Sequence, residues 1–103
     1  MGANTFFQTA DGKTPKKAFI AACKDAAYDY GHSGYTGTLA EKESFIMISD
    51  KIFDSLEEAE SLADKLIDDG DERIDDKWGP AGCLKFKTKT GEVKFLFFGW
   101  ASS

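Results

Sequence analysis

Residues 83–100 read CLKFKTKTGEVKFLFFGW, and this stretch decides the fold. Two β-prone runs, Cys83 to Thr88 and Glu92 to Trp100, lie on either side of Thr90-Gly91, a pair that is typical of a tight turn. The pattern predicts a β-hairpin whose side chains alternate between two faces.

The two faces of this hairpin differ in character. With the turn at Thr90-Gly91, one face is apolar and is expected to form the core. Its residues are Leu84, Phe86, Val93, Phe95 and Phe97. The opposite face carries lysines near the tip and Leu96, Phe98 and Trp100 at the other end. Helices on one side only would leave these three exposed, and an exposed apolar patch marks an interaction surface. We therefore expect a homodimer or higher oligomer formed through this face.

Further strands precede this hairpin in the sequence. Two β-prone runs at about 35–40 and 45–49 flank the charged break EKES, which predicts another hairpin. The run Phe45-Ile46-Met47-Ile48 is apolar at every position, so it also presents large side chains to both sides of the sheet. Residues 4–9 are β-prone and predict an N-terminal edge strand.

Two helices separate these strands. Thr14-Pro15 begins an amphipathic helix that Gly31 is placed to end, because glycine adopts the left-handed conformation at little cost. Ser55 and Glu58 form a capping box at the start of a second helix, which closes near Gly70.

These elements predict one α+β domain over residues 1–103. A chain of 103 residues with 42% hydrophobic residues has enough apolar side chains for one core. We expect two helices packed on one face of an antiparallel sheet of about four strands, in the order αββαββ, with an extra N-terminal edge strand.

The charge balance argues against several classes of partner. The net charge is −5 and the isoelectric point is about 4.8, which disfavours attraction to nucleic-acid phosphates or to an anionic membrane. No stretch approaches the ~20 apolar residues that span a bilayer. Cys23 and Cys83 lie in apolar runs, as buried thiols of a reducing compartment do. We expect a cytoplasmic protein that binds no membrane and does not bind nucleic acid directly.

Acidic residues concentrate between positions 54 and 76. This segment holds eleven Asp and Glu against Lys65 and Arg73, a local net charge of −9. A solvated helix face with an acidic loop is one interpretation. The other is a docking surface for a protein partner with a basic surface. The residues that would carry it are Asp68, Asp69, Asp71, Glu72, Asp75 and Asp76, together with the apolar Leu96, Phe98 and Trp100.

The segment Gly31 to Gly37, GHSGYTG, is the best candidate for a ligand-binding loop. It runs out of a helix into a strand, however, whereas phosphate-binding loops lead into a helix N-terminus. A helix cap that needs glycine conformations is the structural alternative. A small-molecule or nucleotide site would be built from His32, Ser33, Tyr35, Thr36, Trp78 and Trp100.

The sequence contains no recognisable catalytic or metal-binding pattern. His32 and Ser33 are adjacent, and adjacent side chains seldom form a nucleophile and base pair. One histidine and two dispersed cysteines do not make a tetrahedral metal site. We expect no catalytic residue, metal or cofactor, with an enzyme that uses His32 as general acid or base as a remaining alternative.

Together these features predict a small acidic, non-enzymatic interaction protein, an inhibitor or regulator of another macromolecule. A small-molecule or nucleotide-binding domain that uses the Gly31 to Gly37 loop is the alternative.

Overall fold

A computed structural model describes residues 3–30, 42, 44–76 and 79–102. The described elements form a four-stranded sheet in the order β1-β4-β3-β2 with two helices, which confirms the α+β class. Their bounds are β1 Ala3–Ala10, α1 Pro15–Tyr30, β2 Phe45–Phe53, α2 Leu56–Asp69, β3 Ala81–Lys87 and β4 Val93–Ser102. The N-terminal strand is an edge strand, as predicted. The predicted strand at 35–40 lies outside the described residues.

The sheet is mixed rather than wholly antiparallel. β4 pairs antiparallel with β1 and with β3, whereas β2 pairs parallel with β3, so that Phe45 lies opposite Ala81. The described order is therefore βαβαββ, which agrees with the predicted αββαββ preceded by an N-terminal edge strand, apart from the strand at 35–40 that lies outside the described residues. The sheet departs from the predicted antiparallel one in the pairing of β2 with β3. The physical reason is that β2 leads into α2, and a helical crossover returns the chain in the same direction beside the strand it left.

The helices lie on opposite faces of the sheet, which corrects the prediction that both cover one face. In β4, Phe95 and Phe97 pack with α1, while the alternate residues Leu96 and Phe98 pack with α2. The crossover from β1 to β2 passes from one edge of the sheet to the other, and the crossover from β2 to β3 steps back. Right-handed connections that run in opposite directions place their helices on opposite faces.

The β3–β4 hairpin differs from its predicted register by one residue. Leu84 lies opposite Leu96, and Lys87 lies opposite Val93. The Thr88 backbone N–H donates to the Glu92 carbonyl at 2.8 Å, which leaves three residues in the loop, and Gly91 has a φ of 87°. A three-residue loop that ends in a left-handed glycine shifts the pairing relative to a two-residue turn.

Gly82 leaves room for the Phe98 ring where β3 pairs with β4. A Cβ on this glycine would lie 2.6 Å from the Phe98 Cζ atom and 3.0 Å from the Ile74 Cγ2 atom. Phe98 and Ile74 are almost wholly buried. The aromatic ring therefore occupies the space that a side chain at position 82 would need.

The second helix has the ends that its sequence predicts. The Ser55 hydroxyl accepts a hydrogen bond from the Glu58 backbone N–H, and Glu58 Oε2 accepts one from the Asp54 N–H. At the other end, Gly70 has a φ of 69°, and the Asp71 N–H donates to the Leu66 carbonyl at 3.0 Å. Neither helix is long and apolar enough to cross a membrane, among the residues described.

Candidate functional site

The apolar sheet face that was predicted to meet a partner is covered by α2. Leu96 is 1% exposed and Phe98 is 0% exposed, and both belong to the core cluster that includes Ala59 and Ala63 of the helix. Trp100, near the end of β4 and opposite Thr5, is half-buried. The interface prediction is thus wrong for Leu96 and Phe98, and the prediction of a dimer through this face loses its structural basis.

Most of the residues of the alternative ligand site lie outside the described part of the chain. This holds for His32, Ser33, Tyr35 and Thr36 and also for Trp78, so that only Trp100 is placed. The small-molecule site therefore stays a prediction. Two open clefts of about 300 Å³ occur in the described part, one at the α2 N-terminus and one beside α1 at Phe19 and Phe45.

Four carboxylates form one continuous line along α2, and we call them the acidic stripe. They are Glu57, Glu60, Asp64 and Asp68. Their spacings of three, four and four residues place them on the same side of the helix. Glu60 is half-buried and the other three are exposed. None of the four has a lysine or arginine partner within ion-pair distance among the described residues.

This arrangement opposes the stability of the helix. Acidic neighbours three or four residues apart destabilise a helix by about 0.2–0.5 kcal/mol per pair, and the acidic stripe contains three such pairs. Asp68 and Asp69 also lie in the last turn, where the partial negative charge of the helix end disfavours them and where no basic residue is present. Glu57 lies in the first turn, where an acidic side chain is favourable, but folding of the chain does not account for the other acids.

The acidic residues that follow α2 are held on an anchored loop. Ile74 is 1% exposed and fixes the loop to the core beneath α2. The Arg73 guanidinium pairs with the Asp71 carboxylate at 2.9 Å and also donates to the Ile48 carbonyl of β2. The hydrogen bonds from Arg73 lower the pKa of Asp71 to about 2. Of the predicted interface acids, Asp71 is therefore bound within the chain.

A buried lysine anchors the far end of the same loop. Lys42 is 6% exposed, and its Nζ atom donates to the backbone carbonyls of Asp76 at 3.3 Å and of Gly79 at 2.9 Å. Burial lowers the pKa of Lys42, and the nearby Asp76 carboxylate acts in the opposite direction. Sequence analysis missed Lys42 because it lies within a polar break, EKES, where lysine is ordinarily a surface residue.

The remaining predicted acids extend the stripe. Asp69, Glu72, Asp75 and Asp76 are exposed. The Asp75 Oδ1 atom lies 3.8 Å from the position of a Cβ on Gly70, which brings the loop back to the end of α2. We call the acidic stripe together with these four residues the acidic surface. It joins one flank of α2 to a loop whose backbone is held at both ends.

Little in the described residues is suited to covalent or metal chemistry. They contain no group of three or more His, Cys, Asp and Glu positioned to hold a metal ion. Burial raises the pKa of the Cys83 thiol to about 12 and that of the Cys23 thiol to about 11, so that both remain protonated, and poor nucleophiles, at neutral pH.

Comparison with known proteins adds no further constraint. No protein-family model, curated protein or solved structure matches this chain.

Proposed function

We propose that this chain is a small non-enzymatic interaction protein that binds a protein partner through its acidic surface, as an inhibitor or regulator of that partner. The partner presents a basic surface, of which a groove built for a nucleic-acid backbone is one form. The observation that carries the proposal is the acidic stripe, whose charges destabilise the helix and have no described partner within the chain.

The geometry of α2 supports recognition by charge. Glu57 and Asp68 are eleven residues apart, so the acidic stripe extends over about 16 Å of helix. A row of exposed like charges on a rigid element raises the association rate with an oppositely charged surface and fixes its orientation. Because the helix packs on the sheet through Ala59 and Ala63, the row is held in place before the partner arrives.

The anchored loop extends the same surface. Lys42 and Ile74 hold its backbone, so that Asp75 and its neighbours are presented with little conformational freedom. Binding to a fixed loop costs less ordering entropy than binding to a flexible one.

We also propose a reducing, cytoplasmic location, which the buried Cys83 thiol supports.

The test compares the wild type with a variant that lacks the central charges of the acidic stripe. In Glu60→Gln/Asp64→Asn/Asp68→Asn, the size and shape of the side chains are retained while three charges are removed. Each protein is immobilised and exposed to a lysate of the native host, and retained proteins are identified by mass spectrometry. We expect the wild type to retain a basic protein that the variant does not.

The captured protein is then purified and its dissociation constant is measured by calorimetry at several salt concentrations. We expect the affinity to fall at least tenfold in the triple variant and to decrease as salt increases. The control variant Asp50→Asn/Asp54→Asn/Glu92→Gln removes three exposed charges outside the acidic surface, and it should bind as the wild type does. Equal affinity of all three proteins would refute the proposal.

A further inference from the structure

We propose that β1 is a dimerisation edge, at which two copies of the chain pair antiparallel across a two-fold axis near Phe7 and form one continuous eight-stranded sheet. This inference concerns a different surface from the acidic one and does not depend on the proposed function.

The two edges of the sheet that the described strands form are protected very differently. β2 has an irregular register between Met47 and Ile52, carries Asp50 and Lys51 in that region, and has the Ile48 carbonyl occupied by the Arg73 guanidinium. Bulges, charges and side-chain caps of this kind prevent an edge strand from pairing with another chain. The β2 edge is therefore unsuited to strand addition.

β1 has none of these protective features. Its eight residues, ANTFFQTA, contain neither a charge nor a proline, and all eight are in register with β4 from Ala3 opposite Ser102 to Ala10 opposite Phe95. No described strand lies on the other side of β1. An uncharged strand of this length, paired without a register shift, presents backbone donors and acceptors that a second strand can satisfy.

The side chains of β1 complement themselves across a two-fold axis. Phe6 faces α1 and is buried, so Phe7 lies on the other face, where it is 39% exposed. With the axis at Phe7, this ring meets Phe7 of the second copy, and Thr5 meets Thr9 of the second copy. Aromatic pairs and threonine pairs stabilise antiparallel strands, and no like charges are brought together.

The flank of α1 above this edge is also self-complementary. Gln8 Nε2 donates to the Ala22 carbonyl at 2.8 Å, which holds the middle of α1 over β1. Lys17, Ala21 and Asp25 are exposed and recur every fourth residue. They lie on the flank opposite Lys16 and Ile20, which border the cleft toward β2.

The two-fold axis converts this flank into pairs of opposite charge. An axis perpendicular to the sheet keeps both α1 helices on one face and makes them antiparallel. Ala21 then lies beside Ala21 of the second copy, and Lys17 faces Asp25 of the second copy twice. This charge complementarity identifies the occupant of the edge as another copy of the chain rather than an unrelated extended peptide.

The experiment measures the self-association constant by sedimentation velocity, with light scattering as a second readout. We expect the wild type to be a concentration-dependent dimer. Phe7→Lys places two ammonium groups at the axis and should weaken dimerisation at least tenfold. The matched control is Ile52→Lys on the β2 edge, where the side chain is 38% exposed and so nearly equal to Phe7; it should dimerise as the wild type does.

A charge exchange tests the helix contact separately. Lys17→Glu and Asp25→Lys should each weaken the dimer, and the double variant should restore it, because the exchange recreates both pairs. Circular dichroism establishes that every variant is folded. A wild type that stays monomeric, equal effects of Phe7→Lys and Ile52→Lys, or failure of the double variant to recover would each overturn the proposal.

Discussion

Asp64→Lys should make the protein more stable while it removes partner binding, and this combination separates a functional acidic stripe from a merely solvated one. Asp64 lies at the centre of the stripe and is exposed. Its neighbours one turn away on either side are Glu60 and Asp68, so the present side chain contributes two pairs of like charge. A lysine at this position makes both pairs attractive.

The magnitude follows from the pair energies of surface helices. A like-charge pair at this spacing costs about 0.2–0.5 kcal/mol, and an opposite pair contributes a similar amount of stabilisation. Reversing two pairs is therefore worth about 0.8–2 kcal/mol. For a domain of this size, each kcal/mol raises the melting temperature by about 4–8 °C. The gain should shrink in high salt, because both pairs are exposed.

The assay is urea unfolding followed by circular dichroism at low and high salt, together with binding to the captured partner. The control Asp50→Lys makes the same charge change at an exposed position of β2, and it should leave both binding and helix stability as they are in the wild type. A loss of stability in Asp64→Lys would refute the analysis of the stripe. Unchanged binding would refute its assignment to partner recognition.

Three further predictions concern the scaffold. Gly82→Ala should destabilise the fold by about 1–3 kcal/mol, because its Cβ would meet the Phe98 ring. In a double-mutant cycle measured by urea unfolding, adding Phe98→Leu should recover part of this loss. Strictly additive effects of the two substitutions would contradict the proposed clash. The low pKa of Asp71, about 2, contributes stability that is complete above its ordinary pKa of 3.8 and is lost as the pH falls from 3.8 to 2. Arg73→Gln should return the pKa of Asp71 toward 3.8 in an NMR titration. An unchanged pKa would contradict the assignment of the shift to Arg73. Cys83 should not react with a thiol reagent at pH 8 until the protein unfolds, and rapid reaction in the native state would contradict its burial.

Local sequence signals predict the helices and the final hairpin well. Ser55, Glu58 and Gly70 mark the ends of α2 because caps and left-handed glycines act within a few residues of the chain. The final hairpin is predictable for the same reason, because its turn signal is also local. Its register is not predictable in this way. The register depends on whether the loop holds two or three residues, and a single Gly following Thr is compatible with both.

The pairing of strands that are far apart in the sequence cannot be predicted from a simple local pattern. The hairpin predicted for 35–40 and 45–49 lies partly outside the described residues, and its pattern gave no sign that β2 pairs parallel with β3 across the intervening α2. Side chains that are apolar on both faces are the usual mark of a strand buried on two sides. That signal was present in Phe45 to Ile48 and in Leu96 and Phe98, and it indicated a helix on each face rather than a partner.

For the candidate site, too, the sequence predicts which residue types are present but not where the fold places them. The concentration of acids was evident from the sequence, and the structure shows which of them remain available: Asp71 is paired with Arg73, whereas Asp68 and Asp75 are exposed. Lys42 was not evident, because its role depends on two carbonyls more than thirty residues away. A lysine becomes an anchor only when tertiary structure buries it.

The placement of α2 changes which force recruits a partner. With one helix on each face, the side chains of Leu96 and Phe98 are buried within one chain, so their burial cannot drive association. Charge on the outer side of the same helix is not satisfied within the described chain, and it costs stability there. The helix that closes the core is thus also the element that carries the acidic stripe. The affinity of a partner for this stripe should therefore depend strongly on salt concentration, because salt screens exposed charges. It should not show the temperature dependence that is typical of apolar burial.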